Sequence, residues 1–410
     1  MTARRRQRKK SSAALAMAFQ YDLKDFQSIA VGAAVLGSGG GGSYTDACNL
    51  IAQLGESGWS GTVDVRDYDA TTDACVLAMM GSPDAAENLT LDAIKRCMAN
   101  TRQAFETACG ASPRGVFAVE IGPINSTVPL IAAALSDHAI EWVADADGAG
   151  RAVPQLQQTI YAGAAGLSPG PCVLANDGDG PAHVESACLN AASAGAIEAL
   201  AGGVVNAFGS YAGIMLWPSI KANDFALKHH YLPGTLEQTR KLGQYLRQAA
   251  TPPTTAAVAA QISGITARNA SAVLTNVYIT DVKQATSSAS LDVGILRLSD
   301  HPDPAKSRQT HSIYNMNENL ILYCSEDAAP VVVAPDSICY YSEHSGRGFS
   351  NAFDDLAPYY DRATRQSTGV AVSVLKIEAA PAFRDAPGVA ESFAALLRGI
   401  GYGGRLISRA

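Results

Sequence analysis

The sequence predicts an α/β protein, with a mostly parallel sheet and its helices over residues 21–168 and a mixed, β-rich domain over 169–410. Three observations predict it. From residue 21, stretches with helical spacing alternate with short, wholly apolar runs, the pattern of strands joined by crossover helices. From "AVLTNVYITDVKQ" to "VAVSVLKIE", β-branched runs alternate with turn residues. The 410 residues, 47% hydrophobic and 17% charged, suffice for two domains with cores of their own.

The first ten residues, "MTARRRQRKK", are strongly basic, and "SSAALAMAF" follows. Residues 1–20 read as a disordered basic tail, as a start placed ahead of a natural opening at Met17, or as an Arg-rich organellar targeting peptide. "YDLKDFQSIAVGAAVLG" has helical spacing and stops at the glycines of "GSGGGG". "SYTDACNLIAQLG" restarts as a helix, with Ser43 as its cap and Asp46 three residues on. "DACVLAMMGSP" is a buried strand, "AENLTLDAIKRCMANTRQAF" an amphipathic helix and "RGVFAVEIG" a second buried strand. "NSTVPLIAAALSD" gives the next helix, capped by Asn125, and "IEWVADADG" a third strand. Past residue 170 come short strands at "CVLAND" and "AHVESACL", a buried helix "AASAGAIEALAGGVVNAFG" and the strand "YAGIMLWPSI". "TLEQTRKLGQYLRQAA" is a helix with Thr235 as its cap, and "QAATPPTTAAVAA" a low-complexity linker.

Composition excludes several classes of function. The net charge is -7, and no basic stripe interleaved with aromatics lies in the body of the chain, so nucleic acid is not an expected partner. No apolar run reaches the roughly 20 residues of a membrane span. Eight scattered cysteines, without a CxxC pair, read as reduced thiols of an intracellular, cytoplasmic protein. The histidines are singletons apart from His229 and His230, and no GxSxG elbow is present.

Three segments place polar residues where strands end, which is where open α/β sheets bind ligands. The bare amides of Gly39, Gly40, Gly41 and Gly42, with the Ser43 helix end, form either an extended C-cap or a concavity for an anion or a polar ring edge. No Lys-Ser or Lys-Thr follows them, and a helix leads in, so the run is neither a Walker loop nor a dinucleotide fingerprint. In "VEIGPINSTVP", Glu120 closes an apolar strand, where a carboxylate is costly unless solvated or paired. In "VADADGAGRAVPQLQQ", Asp145 and Asp147 stand two apart and, on a continuing strand, point the same way. They would share a proton or hold a cation, with Arg151 as counter-charge, or else form a structural turn network.

"LGSGGGGS", "VEIGPINSTVPLIAAAL" and "DADGAGRAVPQL", in this order, resemble the S-methyl thiohydantoin desulfurase family, long filed as a domain of unknown function. "LPGTLEQTRKLGQYL", "NENLIL", "VAPDSICYYSEHSG" and "GIGYGG" are similar to its second half, and the likeness runs from about residue 22 to the end. The chain departs from the family's pattern at Pro123 and Gln155. The resemblance implies an α/β domain before a β-rich one, relatives encoded beside hydantoinase and oxoprolinase genes, and a hydrolase-type desulfurase acting on a five-membered ring. Water would add at the sulfur-bearing carbon and release sulfide or methanethiol. In that reaction Asp145 or Asp147 is expected as base or metal ligand and Glu120 as partner. Arg151 is expected to anchor a substrate carboxylate, with Gly39 to Gly42, Ser43 and Asn125 binding the ring. A divalent metal, zinc, would suit a sulfur leaving group, with Asp145 and Asp147 as its candidate ligands. The alternatives are a hydrolase, or hydrolase subunit, for a hydantoin- or oxoproline-like cyclic amide, and a non-catalytic small-molecule-binding protein. A homo-oligomer or a hydantoinase- or oxoprolinase-like partner is compatible with each.

Overall fold

The computed structural model describes residues 18–81, 89–209, 211–286 and 292–405. The basic tail expected over 1–20 therefore lies outside the described residues, except for its last three. Those three open a strand, β1 (Ala18–Tyr21). Asp22 then caps α1 (Leu23–Leu36) in a reciprocal capping box with Asp25. α1 is buried along nearly all of its second half because it lies between the two parts of the molecule. It packs on α6, Thr235–Gln248, so closely that Gly32 and Gly243 face each other's backbone. α2 (Tyr44–Glu56) begins at Ser43, whose hydroxyl accepts from Asp46 N, as expected.

The elements that follow are β2 (Val63–Arg66), β3 (Ala74–Gly81), α3 (Leu91–Cys109), β4 (Gly115–Ala118), α4 (Pro123–Leu135), β5 (Trp142–Ala144) and β6 (Ala146–Asp147). β7 (Cys172–Ala175), β8 (Ser186–Leu189), α5 (Ala194–Ala207) and β9 (Tyr211–Ser219) come next. They build one eight-stranded sheet in the order β1-β2-β5-β4-β3-β9-β7-β8. Its centre, β2-β5-β4-β3, is parallel, and the flanking strands run antiparallel. The sheet thus continues to residue 219, past the division at 168/169 that the change of grammar suggested. The physical reason is β3: its far edge must be paired, and the apolar β9 pairs it over seven registered positions.

The remaining elements are β10 (Leu232–Pro233), α6, α7 (Thr255–Thr266), β11 (Ala270–Thr286), β12 (Asp292–Ser299), β13 (Thr310–Met316), β14 (Glu318–Cys324), β15 (Val332–Val333) and β16 (Ser337–Tyr341). α8 (Phe353–Leu356), the short pair β17 (Tyr360–Asp361) and β18 (Gln366–Ser367), β19 (Val372–Ile377), α9 (Pro381–Arg384) and α10 (Val389–Gly399) close the chain. Seven strands form an antiparallel sheet in the order β15-β14-β13-β12-β11-β19-β16, the β-rich unit the sequence predicts.

Four local expectations are corrected. α4 starts at Pro123 with Gly122 in the capping position, so Asn125 lies inside the helix and is not its cap; a proline at the first helical position sets the start. α6 is capped by Gly234 with no side-chain bond, and Thr235 is already helical. The "TAAVAA" end of the linker is the start of helix α7, capped by Thr254, because the apolar Val258, Ala259 and Ile262 have a core to enter. α5 is buried only along Ala194, Ile197, Ala201, Gly202 and Val205, and Leu200 stands 50% exposed. No helix among the described residues is long and apolar enough to cross a membrane. All eight cysteines are free thiols, Cys188 exposed and five buried.

Candidate functional site

The glycine run is a tight loop wedged between α4 and β14. Gly41 has φ +73°, and a Cβ on it would collide with the Gly122 Cα; a Cβ on Gly40 would lie inside the Glu318 side chain. Bare backbone is therefore needed for approach to the protein's own groups. The Gly41 carbonyl accepts from Ile124 N (2.9 Å) and Asn125 N (3.3 Å), the first-turn amides of α4. Gly41 N donates to Glu318 Oε1 (3.3 Å), and Gly40 N to the Gly37 carbonyl (3.0 Å). The α2 N-terminus is equally occupied: Tyr44 N and Thr45 N donate to Asp355, while Ser43 Oγ donates to Asp354 (2.8 Å). The anion expected at that helix end is the Asp355 carboxylate, held where the helix dipole favours it.

A cleft of about 700 Å³, counting its open mouth, lies beside the loop. Gly41 and Gly42, the end of β3, Glu120, Asn125, the 153–156 turn, Thr159, Glu198, Asn317 and Glu318 line it. Three carboxyl groups enter it from three different elements, and none of its described lining residues is basic.

Glu120 follows β4, 5% exposed. Its Oε2 accepts from Val153 N (2.7 Å) and its Oε1 from Asn125 Nδ2 (2.8 Å), while Asn125 Oδ1 accepts from Met79 N (3.2 Å). Asn125 is thus the brace between Glu120 and β3. Burial raises the Glu120 pKa to about 7 against these hydrogen bonds. Glu318 opens β14 at 2% exposure; its Oε1 accepts from Gly41 N, and its Oε2 has no partner among the described residues. Burial, and then the Glu120 charge, push its pKa well above the carboxylate range. Two acids coupled in this way titrate as a pair: Glu120 ionises while Glu318 still holds its proton. One cleft therefore holds two acids whose pKa values burial raises, the charge of Glu120 pushing that of Glu318 further up.

Glu198 reaches the same cleft from α5, and its Oε2 accepts from Leu156 N (2.9 Å). Burial raises its pKa to about 7, with no charged group contributing.

Asp145, Asp147 and Arg151 are not among the lining residues, because each is committed to the backbone. Asp145 accepts from Glu237 N (2.9 Å), so it caps α6 from a distance and supplies what Thr235 does not. Asp147 is fully buried and accepts from Ala149 N and Gly150 N, both at 2.8 Å. Burial raises the pKa of each to about 6. Arg151, 1% exposed, donates to the carbonyls of Ala152, Asn319, Pro335 and Asp336 at 2.8–3.1 Å. Its guanidinium therefore bolts the 147–152 turn to β14 and to the segment before β16. The two aspartates do not converge on a cation, and among the described residues no three His, Cys, Asp or Glu side chains stand together to hold a metal. The expected zinc has no fitting ligand set here. Neither His229 nor His230 lines the cleft.

Sequence reasoning missed Glu318 and Glu198, although both carry the signal that singled out Glu120. Glu318 heads the apolar strand "ENLILYC", and Glu198 is the sole charge in helix α5. A lone carboxylate in an apolar element needs a reason to be there.

A family model described as "S-Me-THD-like, N-terminal domain" matches residues 24–186, and "S-Me-THD-like, C-terminal domain" matches 192–391. Among solved structures, a protein of Chromobacterium violaceum determined by X-ray crystallography is similar with a TM-score of 0.74 and 24% identity, covering 94% of this chain and 98% of that one. That likeness shows the shared fold. No curated protein matches. Matched across nearly its whole length, the chain belongs to the S-Me-THD-like family.

Proposed function

We propose that this member of the S-Me-THD-like family desulfurates a thiohydantoin-type five-membered ring in the cleft between Glu120 and Glu318. Water attacks the sulfur-bearing carbon as the Glu120 carboxylate takes one of its protons. The C=N electrons of the S-methyl ring move onto nitrogen and a tetrahedral carbon forms. Those electrons then return and expel the sulfur, which leaves as methanethiol with the proton of the Glu318 carboxylic acid. The product is the enol tautomer of the ring amide, and proton return from Glu120 to Glu318 resets the pair. An unmethylated thiohydantoin follows the same steps from its mercapto tautomer, which carries the same C=N bond beside C–SH, and releases hydrogen sulfide.

The observation that carries this reading is Glu318: a buried acid with one oxygen unpartnered among the described residues, in the cleft it shares with Glu120, whose charge pushes its pKa up. A purely structural carboxyl would be expected to satisfy both oxygens. Asp147 and Arg151 act here by fixing the turn and the strands that carry the acids, and Gly41 by fixing the Glu318 carboxyl. The test is incubation of purified protein with a thiohydantoin and its S-methyl form, following sulfide and methanethiol, beside Glu120→Gln and Glu318→Gln. Release abolished in both variants supports the reading. Ring opening without sulfur release would assign a cyclic-amide hydrolase, and tight binding without turnover a binding protein.

A further inference from the structure

Glu198 is left over by the chemistry just described. It lines the same cleft but comes from a different element, α5. One oxygen is held by Leu156 N at 2.9 Å, which fixes the carboxyl; the other meets no donor among the described residues. A five-membered cyclic amide has two kinds of edge, the electrophilic carbon with its sulfur or oxygen and the ring N–H. The reacting pair accounts for the first. A fixed acceptor elsewhere on the wall suits the second, and the Glu198 carboxyl supplies one in its ionised form, which prevails above about pH 7.

We propose that Glu198 determines specificity by accepting a hydrogen bond from a ring N–H of the substrate, so that the cleft takes rings with that nitrogen unsubstituted and rejects their N-methyl counterparts. The inference rests on the ring reading of the cleft. In Glu198→Gln the amide oxygen keeps the Leu156 bond and the NH2 group faces the ring N–H, so the fold is retained while donor meets donor.

The experiment compares wild type with Glu198→Gln on a hydantoin, its N1-methyl and N3-methyl forms, and the corresponding thiohydantoins. Calorimetry gives Kd for the hydantoins, and sulfide release gives KM and kcat. Wild type is expected to disfavour one of the two methylated rings by about tenfold or more in Kd and KM. Glu198→Gln is expected to weaken the unmethylated ring by a similar factor, with kcat within about threefold, and to erase the discrimination. If Glu198→Gln leaves Kd and KM unchanged, or keeps the wild-type discrimination, the role given to Glu198 is overturned while rings that bind or react uphold the ring reading. If no ring binds or reacts with wild type, the ring reading itself falls, and the role of Glu198 with it.

Discussion

The assignment of Glu120 as base and Glu318 as acid makes a definite prediction for the pH dependence. Glu120 must be ionised to take the proton of water, and burial holds its pKa at about 7. The ionised fraction is then about one tenth at pH 6 and nine tenths at pH 8, so kcat/KM should rise about ninefold to tenfold across this interval with the slope of one proton. In this assignment Glu318 is the protonated partner, and burial followed by the charge of Glu120 pushes its pKa up in the direction this role needs. Glu318→Gln should therefore lower kcat by about 10² to 10⁴ without moving the rising limb. Glu120→Gln should lower the rate by a similar factor and remove the limb altogether. The assay is initial rate of thiol release in a constant-ionic-strength buffer series from pH 5.5 to 8.5, with folding checked by circular dichroism at each pH. A flat wild-type profile, or a rising limb that survives Glu120→Gln, would refute the assignment.

Asp145→Asn should leave kcat within about threefold while costing α6 roughly 1 kcal/mol, because the side chain caps that helix and takes no part in chemistry; thermal unfolding and activity measured together check both halves. Arg151→Ala orphans four buried carbonyls and should destabilise the protein by about 3 kcal/mol or more, read from denaturant unfolding. Glu198→Gln should be stabilising at high pH. The folded pKa of Glu198 is raised to about 7, so the stability contributed by keeping it protonated is full below the unfolded value and lost as pH rises through 7. The variant escapes that loss, and its advantage over wild type should grow by roughly 2 to 3 kcal/mol between pH 5 and pH 8 in paired denaturation curves. Gly41→Ala, forced into a positive φ against the Gly122 backbone, should cost about 2 kcal/mol or more and abolish thiol release.

Local signals in the chain determined the periodic elements, since a helix cap or an apolar strand is written within a few residues. Ser43 capping α2, the strand at Ala74–Gly81 and the antiparallel C-terminal unit all follow from such short patterns. The lone carboxylate of Glu120 in an apolar strand was legible by the same means, and its neighbours in the site were not. Which acid faces it is a matter of nearly two hundred residues of separation, decided when β14 packs beside the glycine loop. The adjacent pair Asp145 and Asp147 carried the more obvious motif, yet both are consumed by backbone amides that only the folded chain brings to them, one from α6 and one from the following turn. Arg151 is spent in the same manner on carbonyls from β14 and the segment before β16. Sequence alone thus determined which groups are costly to bury and which segments form helix or strand. Tertiary packing decided which of those costs were met by internal hydrogen bonds and left Glu318 and Glu198, in the cleft, each with an oxygen that meets no donor among the described residues, because satisfaction of a buried polar group depends on distances that sequence spacing does not encode.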